Sequence, residues 1–361
     1  MHRFNHIFLL ALLLFLIIGC RKDEVLNEVD LELPPVVTVD FVEAEIYGIV
    51  QDGEGYPVVE ANVQWGESTS LTDTYGAFIL TGTVKERNAL LRVSKEGFFQ
   101  ATQTLQSFSD QAVKTKVQLI PRRLSGDFLA SQGGLIETPE GAMIQFDANG
   151  FQYPNGTAYT GRVNVFAYYL DPTRPDLGAI MPGNLMAQNT ANEDQLLQSY
   201  GMCNVELADA AGNLIEITTP ATLTSPVPSG LQNQAPASIP LWFFDEADGL
   251  WKEEGSAELQ NGVYIGKVSH FTWWNCDVPS EFIFLQGSIS TLEQNFSTFQ
   301  IKMTNLSNGT SGIVGVNNQG GFSGFVVKDE VLLMEVINMC GEVTHSSEIG
   351  PFTVNSQLPT I

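Results

Sequence analysis

Arg162-Val-Asn-Val-Phe-Ala-Tyr-Tyr-Leu170 is a run of β-branched and aromatic residues in period-two alternation, bounded by Gly161 on one side and Asp171-Pro172 on the other. A run of this kind forms a strand whose successive side chains point to opposite faces. Shorter versions of the pattern recur in both directions. Toward the N-terminus lie Glu45-Ile-Tyr-Gly-Ile-Val50, Ala61-Asn-Val-Gln-Trp65 and Ala89-Leu-Leu-Arg-Val-Ser94. Toward the C-terminus lie Cys203-Asn-Val-Glu-Leu207, Leu214-Ile-Glu-Ile217, Phe282-Ile-Phe-Leu285, Phe299-Gln-Ile-Lys-Met303, Val331-Leu-Leu-Met-Glu-Val336 and a closing Phe352-Thr-Val354. Gly, Pro, Asp and Asn separate the runs, with turns expected at 73–76, at 209–213, at Gly320-Gly321 and at Gly341. Only residues 192–200 read as helical. The expected class is therefore all-β, with three tandem β-sandwich domains at 41–123, 124–279 and 280–361. No exact internal repeat is visible, so these are separate modules rather than a solenoid.

The N-terminus has a different character. His2 and Arg3 precede an apolar run from Ile7 to Ile18, too short to span a bilayer comfortably, and the combination reads as a signal peptide over residues 1–19. The run ends in Ile17-Ile18-Gly19-Cys20, which resembles the bacterial lipobox. That resemblance implies cleavage before Cys20 and a diacylglycerol on its thiol, making Cys20 the lipidation site. Two or three acyl chains hold a protein firmly where one does not. Arg21-Lys22-Asp23-Glu24 resembles the charged export tags of Bacteroidetes-type surface lipoproteins, which implies an outer-membrane, surface-exposed destination. Residues 20–40, acidic and carrying Pro34-Pro35, read as an extended tether.

Charge and composition narrow the function. The 361 residues carry a formal net charge of -24, and no basic stretch is long enough to collect counterions from a polyanion. Nucleic acid is excluded as a partner, and the expected partner is the membrane, through the lipid, with a protein or polysaccharide ligand. Besides Cys20 the cysteines are Cys203, Cys276 and Cys340, at no zinc or thioredoxin spacing. Cys203 and Cys276 could pair in an oxidising compartment. Only His270 and His345 remain after signal removal, so any Ser-His or Cys-His mechanism must use one of them. No cofactor is expected.

Three resemblances add to this. Gly48-Ile-Val-Gln-Asp52, Gly55-Tyr-Pro57, Ala61-Asn-Val63, Thr72-Asp73 and Gly76-Ala-Phe78 resemble the carboxypeptidase regulatory-like, transthyretin-type domain, which implies a rigid accessory module without catalytic residues. Asp171-Pro-Thr173, Met181-Pro-Gly183, Pro240-Leu-Trp242, Gly249-Leu-Trp251 and His270-Phe-Thr-Trp-Trp-Asn275 resemble the extracellular region of cartilage intermediate layer protein. Within the last of these, His270-Phe271-Thr272 resembles the tripeptide of self-cleaving sandwich domains. That likeness implies His270 as base and Thr272 as nucleophile on the Phe271 carbonyl, although the cysteines that brace the adhesion-receptor version are missing. The same residues also fit a closing strand of alternating aromatics.

Two further features admit two readings each. Trp242, Trp251, Trp273 and Trp274 could form a platform for sugar rings or belong to the core. Residues 245–249, between two apolar runs, fit a hairpin turn, or a calcium site through Asp245 and Asp248. The reading preferred from sequence is a membrane-anchored surface lipoprotein that binds or builds but does not catalyse. The alternatives are carbohydrate binding by exposed tryptophans and self-cleavage between Phe271 and Thr272.

Overall fold

The computed structural model describes residues 32–34, 40–107, 109, 112–291, 296–338 and 340–361. The signal peptide, Cys20 and most of the tether lie outside the described residues. What is described is almost entirely strand, as the period-two pattern predicts, arranged in several sheets. Among the described residues no helix is long and apolar enough to cross a membrane.

The first unit contains β1 (Phe41–Gln51), β2 (Asn62–Trp65), β3 (Ser68–Leu71), β4 (Ala77–Lys85), β5 (Ala89–Ser94), β6 (Ala101–Leu105) and β7 (Val113–Gln118). They form two sheets, in the orders β4-β1-β7 and β3-β2-β5-β6. Alternate residues face inward, so Ile46, Val50, Val63, Trp65, Leu91, Val93 and Val117 are all completely buried in one core. The Trp65 indole finds a partner across that core, donating to the Ala44 carbonyl at 3.0 Å. Gly48 has no room for a side chain, because a Cβ there would sit 2.3 Å from the Thr115 carbonyl oxygen of the parallel strand β7.

One turn recurs throughout the chain. At 52–56, 73–77, 209–213 and 317–321 an Asp or Asn pairs with the residue four positions on, and a glycine in the fourth position has positive φ (Gly55, Gly76, Gly212, Gly320). The leading side chain accepts the main-chain N–H groups two and four residues later, as Asp73 does from Tyr75 and Ala77 at 2.8 Å each. The chemistry is local: a short carboxylate or amide mimics a backbone acceptor, and glycine enters the left-handed region without a Cβ penalty. These Asx-x-x-Gly sequences set where hairpins reverse, and thereby the register of the strands on either side.

The middle unit contains β8 (Leu124–Leu129), β9 (Gly134–Glu137), β10 (Met143–Phe146), β11 (Phe151–Gln152), β12 (Arg162–Leu170), a single helical turn α1 (Leu177–Ile180), β13 (Met186–Gln188), β14 (Asp194–Ala208), β15 (Leu214–Ile217), β16 (Ala221–Pro226), β17 (Ser238–Asp245), β18 (Leu250–Gln260), β19 (Val263–Val268) and β20 (Trp273–Ser280). All thirteen strands are hydrogen-bonded into one sheet, with the path β8-β12-β14-β20-β17-β18-β19-β16-β10-β9. Inward residues from every strand on this path, among them Phe128, Ile136, Val165, Val205, Leu241, Ala257 and Tyr264, share a single core, so the sheet is folded over on itself. The expected helix at 192–200 is not formed. Instead Asn192 takes positive φ in a turn, and Leu196 and Leu197 pair with Ser280 and Pro279 of β20. Weak helix propensity over nine residues loses to the burial of Leu197 and Tyr200 in a sheet that needs this strand.

The last unit contains β21 (Phe282–Ser288), β22 (Gln300–Asn305), β23 (Ser311–Gly315), β24 (Gly321–Val327), β25 (Leu332–Ile337), β26 (Val343–Ile349) and β27 (Ser356–Gln357). Sheets β24-β21-β27 and β23-β22-β25-β26 enclose Ile283, Leu285, Ile301, Met334 and Phe352. The closing strand expected at 352–354 lies a few residues later: Phe352 plugs the core from a loop, Val354 is exposed, and Ser356 and Gln357 make the pairing to β21.

Candidate functional site

The residues singled out from sequence converge on the sheet β14-β20-β17, which is buried on both faces. On its inner face Cys203, Leu241, Trp274 and Cys276 belong to the middle core. On its outer face Met202, Trp242, Phe244 and Trp273, with Trp251 from β18, form a second apolar layer. That layer is capped by Leu177 and Ile180 of α1, by Met181, and by Phe99 and Ile120, which come from the first unit. It is thus a joint between units. The Trp273-Trp274 pair places one indole on each face, as neighbours on a strand must.

This corrects the platform reading. Trp242 and Trp251 are 0% exposed, Trp274 1% and Trp273 6%, so none offers a ring to a sugar. Three of their N–H groups are also satisfied inside: Trp242 donates to the Asp277 carbonyl at 3.0 Å, Trp251 to the Asn184 carbonyl at 2.7 Å and Trp274 to the His270 carbonyl at 2.9 Å. Carbohydrate binding by exposed tryptophans is therefore overturned. The sequence showed large aromatics in alternation, but not that a second unit covers the outer face.

Polar contacts complete the joint. The Gly183 N–H donates to the Thr102 carbonyl at 2.7 Å, and Gly183 has positive φ with the Phe244 ring where its Cβ would be. The turn at 245–249 docks on β5 and β6: Arg92 donates to the Glu246 carbonyl at 2.6 Å, Thr104 to the Gly249 carbonyl at 3.0 Å, and Asn88 to the Asp248 carbonyl. Burial raises the Glu246 carboxyl, while Arg92 and a hydrogen bond from Gln100 pull it back down. Arg122 lies 3.6 Å from the Phe166 ring centre and pairs with Glu206 at 2.5 Å. Within the turn, Asp245 accepts the Ala247 N–H at 2.8 Å and Asp248 pairs with Lys252 at 3.0 Å. Both carboxylates are thus occupied by protein groups. Among the described residues no three His, Cys, Asp or Glu side chains gather as a metal-ligand set.

His270-Phe271-Thr272 forms the loop entering β20. The Thr272 hydroxyl donates to the Trp273 carbonyl at 3.2 Å. The His270 ring packs against Phe243 and Trp274, with centroids 4.7 and 5.1 Å away, and its Nε2 is 3.7 Å from the Glu254 carboxylate. Phe271 lies against Phe146, and none of the three residues has positive φ. Base and nucleophile are each engaged with other groups. Cys203 and Cys276 are both free and buried, with burial pushing the Cys203 thiol up to about 12 and Cys276 higher still. Cys340 is free and exposed in a turn.

One group of residues was missed from sequence. Ser199, Asn275 and Asp277 are 3%, 0% and 0% exposed and meet where β14 and β20 pair. Ser199 donates to the Asn275 amide oxygen at 2.8 Å, and the Asn275 amide nitrogen donates to Asp277 Oδ2. Burial holds the Asp277 carboxyl well above the ordinary carboxylate range, against the polar groups beside it, the Ser199 side chain, the Tyr200 backbone and the Asn275 amide, which pull it down. The available signal was two polar residues at alternate positions in the otherwise apolar Trp273-Trp-Asn-Cys-Asp-Val278.

No protein-family model matches the chain. Part of it is similar to cartilage intermediate layer protein 1 of Sus scrofa, 27% identical over 132 residues, covering 35% of this chain and 21% of that protein. Cartilage intermediate layer protein 2 of Mus musculus is 27% identical over 131 residues, covering 36% of this chain and 11% of that protein. The chain thus spans about a fifth or less of these curated relatives. Solved structures superpose loosely: the Bacillus anthracis TIE protein at TM-score 0.20 and 7% identity, covering 89% of this chain and 50% of that one. BcpA, the major pilin subunit of Bacillus cereus, gives TM-score 0.16 and 8% identity, covering 88% of this chain and 98% of that one.

Proposed function

We propose that this chain is a lipid-anchored, non-catalytic surface lipoprotein of Bacteroidetes type, whose β units form one rigid body that presents a binding or structural face. The observation that carries the reading is the joint. The side chains best suited to chemistry or to stacking on a ligand hold units together instead: Trp242, Trp251 and Trp273 are buried in it, and Arg92 and Arg122 bridge it. Met181-Pro-Gly183, Trp242 and Gly249-Leu-Trp251, quoted above for their resemblance to cartilage intermediate layer protein, all lie in this joint. The last unit packs in as well, with Arg87 of the first unit 5.3 Å from the Phe284 ring and with Phe282 and Phe325 beside Met186 and Leu250.

The seven strands and two facing sheets of the first unit support reading it as a carboxypeptidase regulatory-like accessory module. It carries the exposed Tyr56, Tyr75 and Ile79, which suit a protein partner. The Ile17-Ile18-Gly19-Cys20 sequence supports the anchor, at the outer membrane. Protease shaving of intact cells, read by mass spectrometry, tests surface display. Release of peptides from residues 280–361 into the supernatant is expected, and protection until the outer membrane is broken would contradict it.

A further inference from the structure

The core of the last unit ends at β25. Leu332, Met334 and Val336 are buried in it, yet their partners on the next strand, Ile349, Ser347 and His345 of β26, are half-buried, half-buried and exposed. Three strands face four in this unit, and β26 is the strand left uncovered. Among the described residues no strand pairs with its outer edge, so the main-chain groups that point away from β25 have no ladder partner. Other edges are covered by the middle unit: β6 bridges to Gly183 and binds the Gly249 carbonyl through Thr104, and β24 packs Phe325 beside Met186 and Leu250. Nor is β26 blunted in the usual ways. Val343-Thr-His-Ser-Ser-Glu-Ile349 has no Pro and no Lys, and the bulge in its pairing with β25 is confined to the turn end, beside Val336 and Ile337.

We propose that β26 pairs antiparallel with β26 of a second copy of this chain, across a two-fold axis at Ser346, so that the sheets β23-β22-β25-β26 of the two copies become one continuous sheet. The occupant is read from the segment itself, which complements its own reverse. In that register Val343 faces Ile349 of the second copy, Thr344 faces Glu348, His345 faces Ser347, and Ser346 faces its own counterpart. Apolar residues meet at both ends and no like charges stand opposite each other, as a stable cross-strand pairing requires. This matters in a chain of net charge -24. The two Glu348 side chains lie four residues apart along the ladder, about 13 Å, beyond the Debye length of about 8 Å at physiological salt. A foreign strand would gain the same main-chain bonds, but the side-chain match is to a reversed copy. The contact uses the same patch on both chains, so it closes on two copies.

The test is disulfide trapping of the full-length chain in expressing cells, in a Cys340→Ser background that removes the exposed thiol. Ser346→Cys should give a reducible band at twice the mass of the chain, because residues opposite each other at the axis have Cα atoms about 4.5–5.5 Å apart, within disulfide reach. Thr344→Cys should stay monomeric, since its two copies are about 13 Å apart. Adding Thr344→Glu to Ser346→Cys sets like charges opposite Glu348 on both sides of the axis and should cut the dimer band severalfold. Adding Glu348→Thr to that variant should restore the band, which a merely structural effect of the first change would not allow. Equal trapping from Ser346→Cys and Thr344→Cys would overturn the proposal, as would no dimer from Ser346→Cys or its cross-linking to a different protein. Sedimentation equilibrium of the parent chain in detergent reads the same contact without a substitution. The mass should rise from one chain toward two with concentration, and the mass of one chain throughout would overturn the proposal.

Discussion

The indole nitrogen of Trp242 donates to the main-chain carbonyl of Asp277 at 3.0 Å, tying the central side chain of the joint to the strand that carries the buried acid. Both residues are 0% exposed. Packing between units and the polar network inside the middle sheet are therefore parts of one structure.

Trp242→Ala should be among the most damaging single changes. It opens a cavity between the first and middle units and removes the indole donor, so a loss of about 3–5 kcal/mol is expected. Urea unfolding should show a lower midpoint, with the transition splitting as the two units uncouple. A single transition at the parental midpoint would refute this role.

Asp277 makes a signed prediction about pH. Its carboxyl is raised in the folded chain relative to the unfolded one. Above the unfolded value the folded state retains a proton that the unfolded state has lost, so stability is highest at acid pH and falls as pH rises toward the folded value. The slope approaches about 1.4 kcal/mol per pH unit. Asp277→Asn should remove this fall. The variant should differ from the parent by a constant amount near pH 4 and gain on it increasingly toward pH 7. Parallel curves would contradict the assignment.

At the His270 loop the expected outcome is an intact chain. With the Thr272 hydroxyl donating to the Trp273 carbonyl and His270 facing Glu254, denaturing electrophoresis should give one band for the parent and the same band for Thr272→Ala. Two fragments from the parent that merge into one in the variant would establish self-cleavage instead.

How far the sequence could be read differs from element to element. Arg162–Leu170 was legible because period-two alternation is a local property, and the turns were legible because Asx-x-x-Gly encodes its own hydrogen bonds. Residues 192–200 were not, since their strand is imposed by β13 and β20 from elsewhere in the chain. The tryptophans divide the same way. Trp274 could be assigned to a core from alternation, whereas Trp242 and Trp273 are covered by Phe99 and Ile120, far away in sequence. Asn275 and Asp277 were visible as polar residues in an apolar strand, but their partner Ser199 lies 76 positions from Asn275, and only the fold brings it near.

The anchor on Cys20 is tested most directly by metabolic labelling with a tagged fatty acid, followed by detergent phase separation. The parent should carry the label and enter the detergent phase, and Cys20→Ser should be unlabelled and remain in the aqueous phase. A Cys20→Ser protein that takes up label and partitions as the parent does would contradict the account.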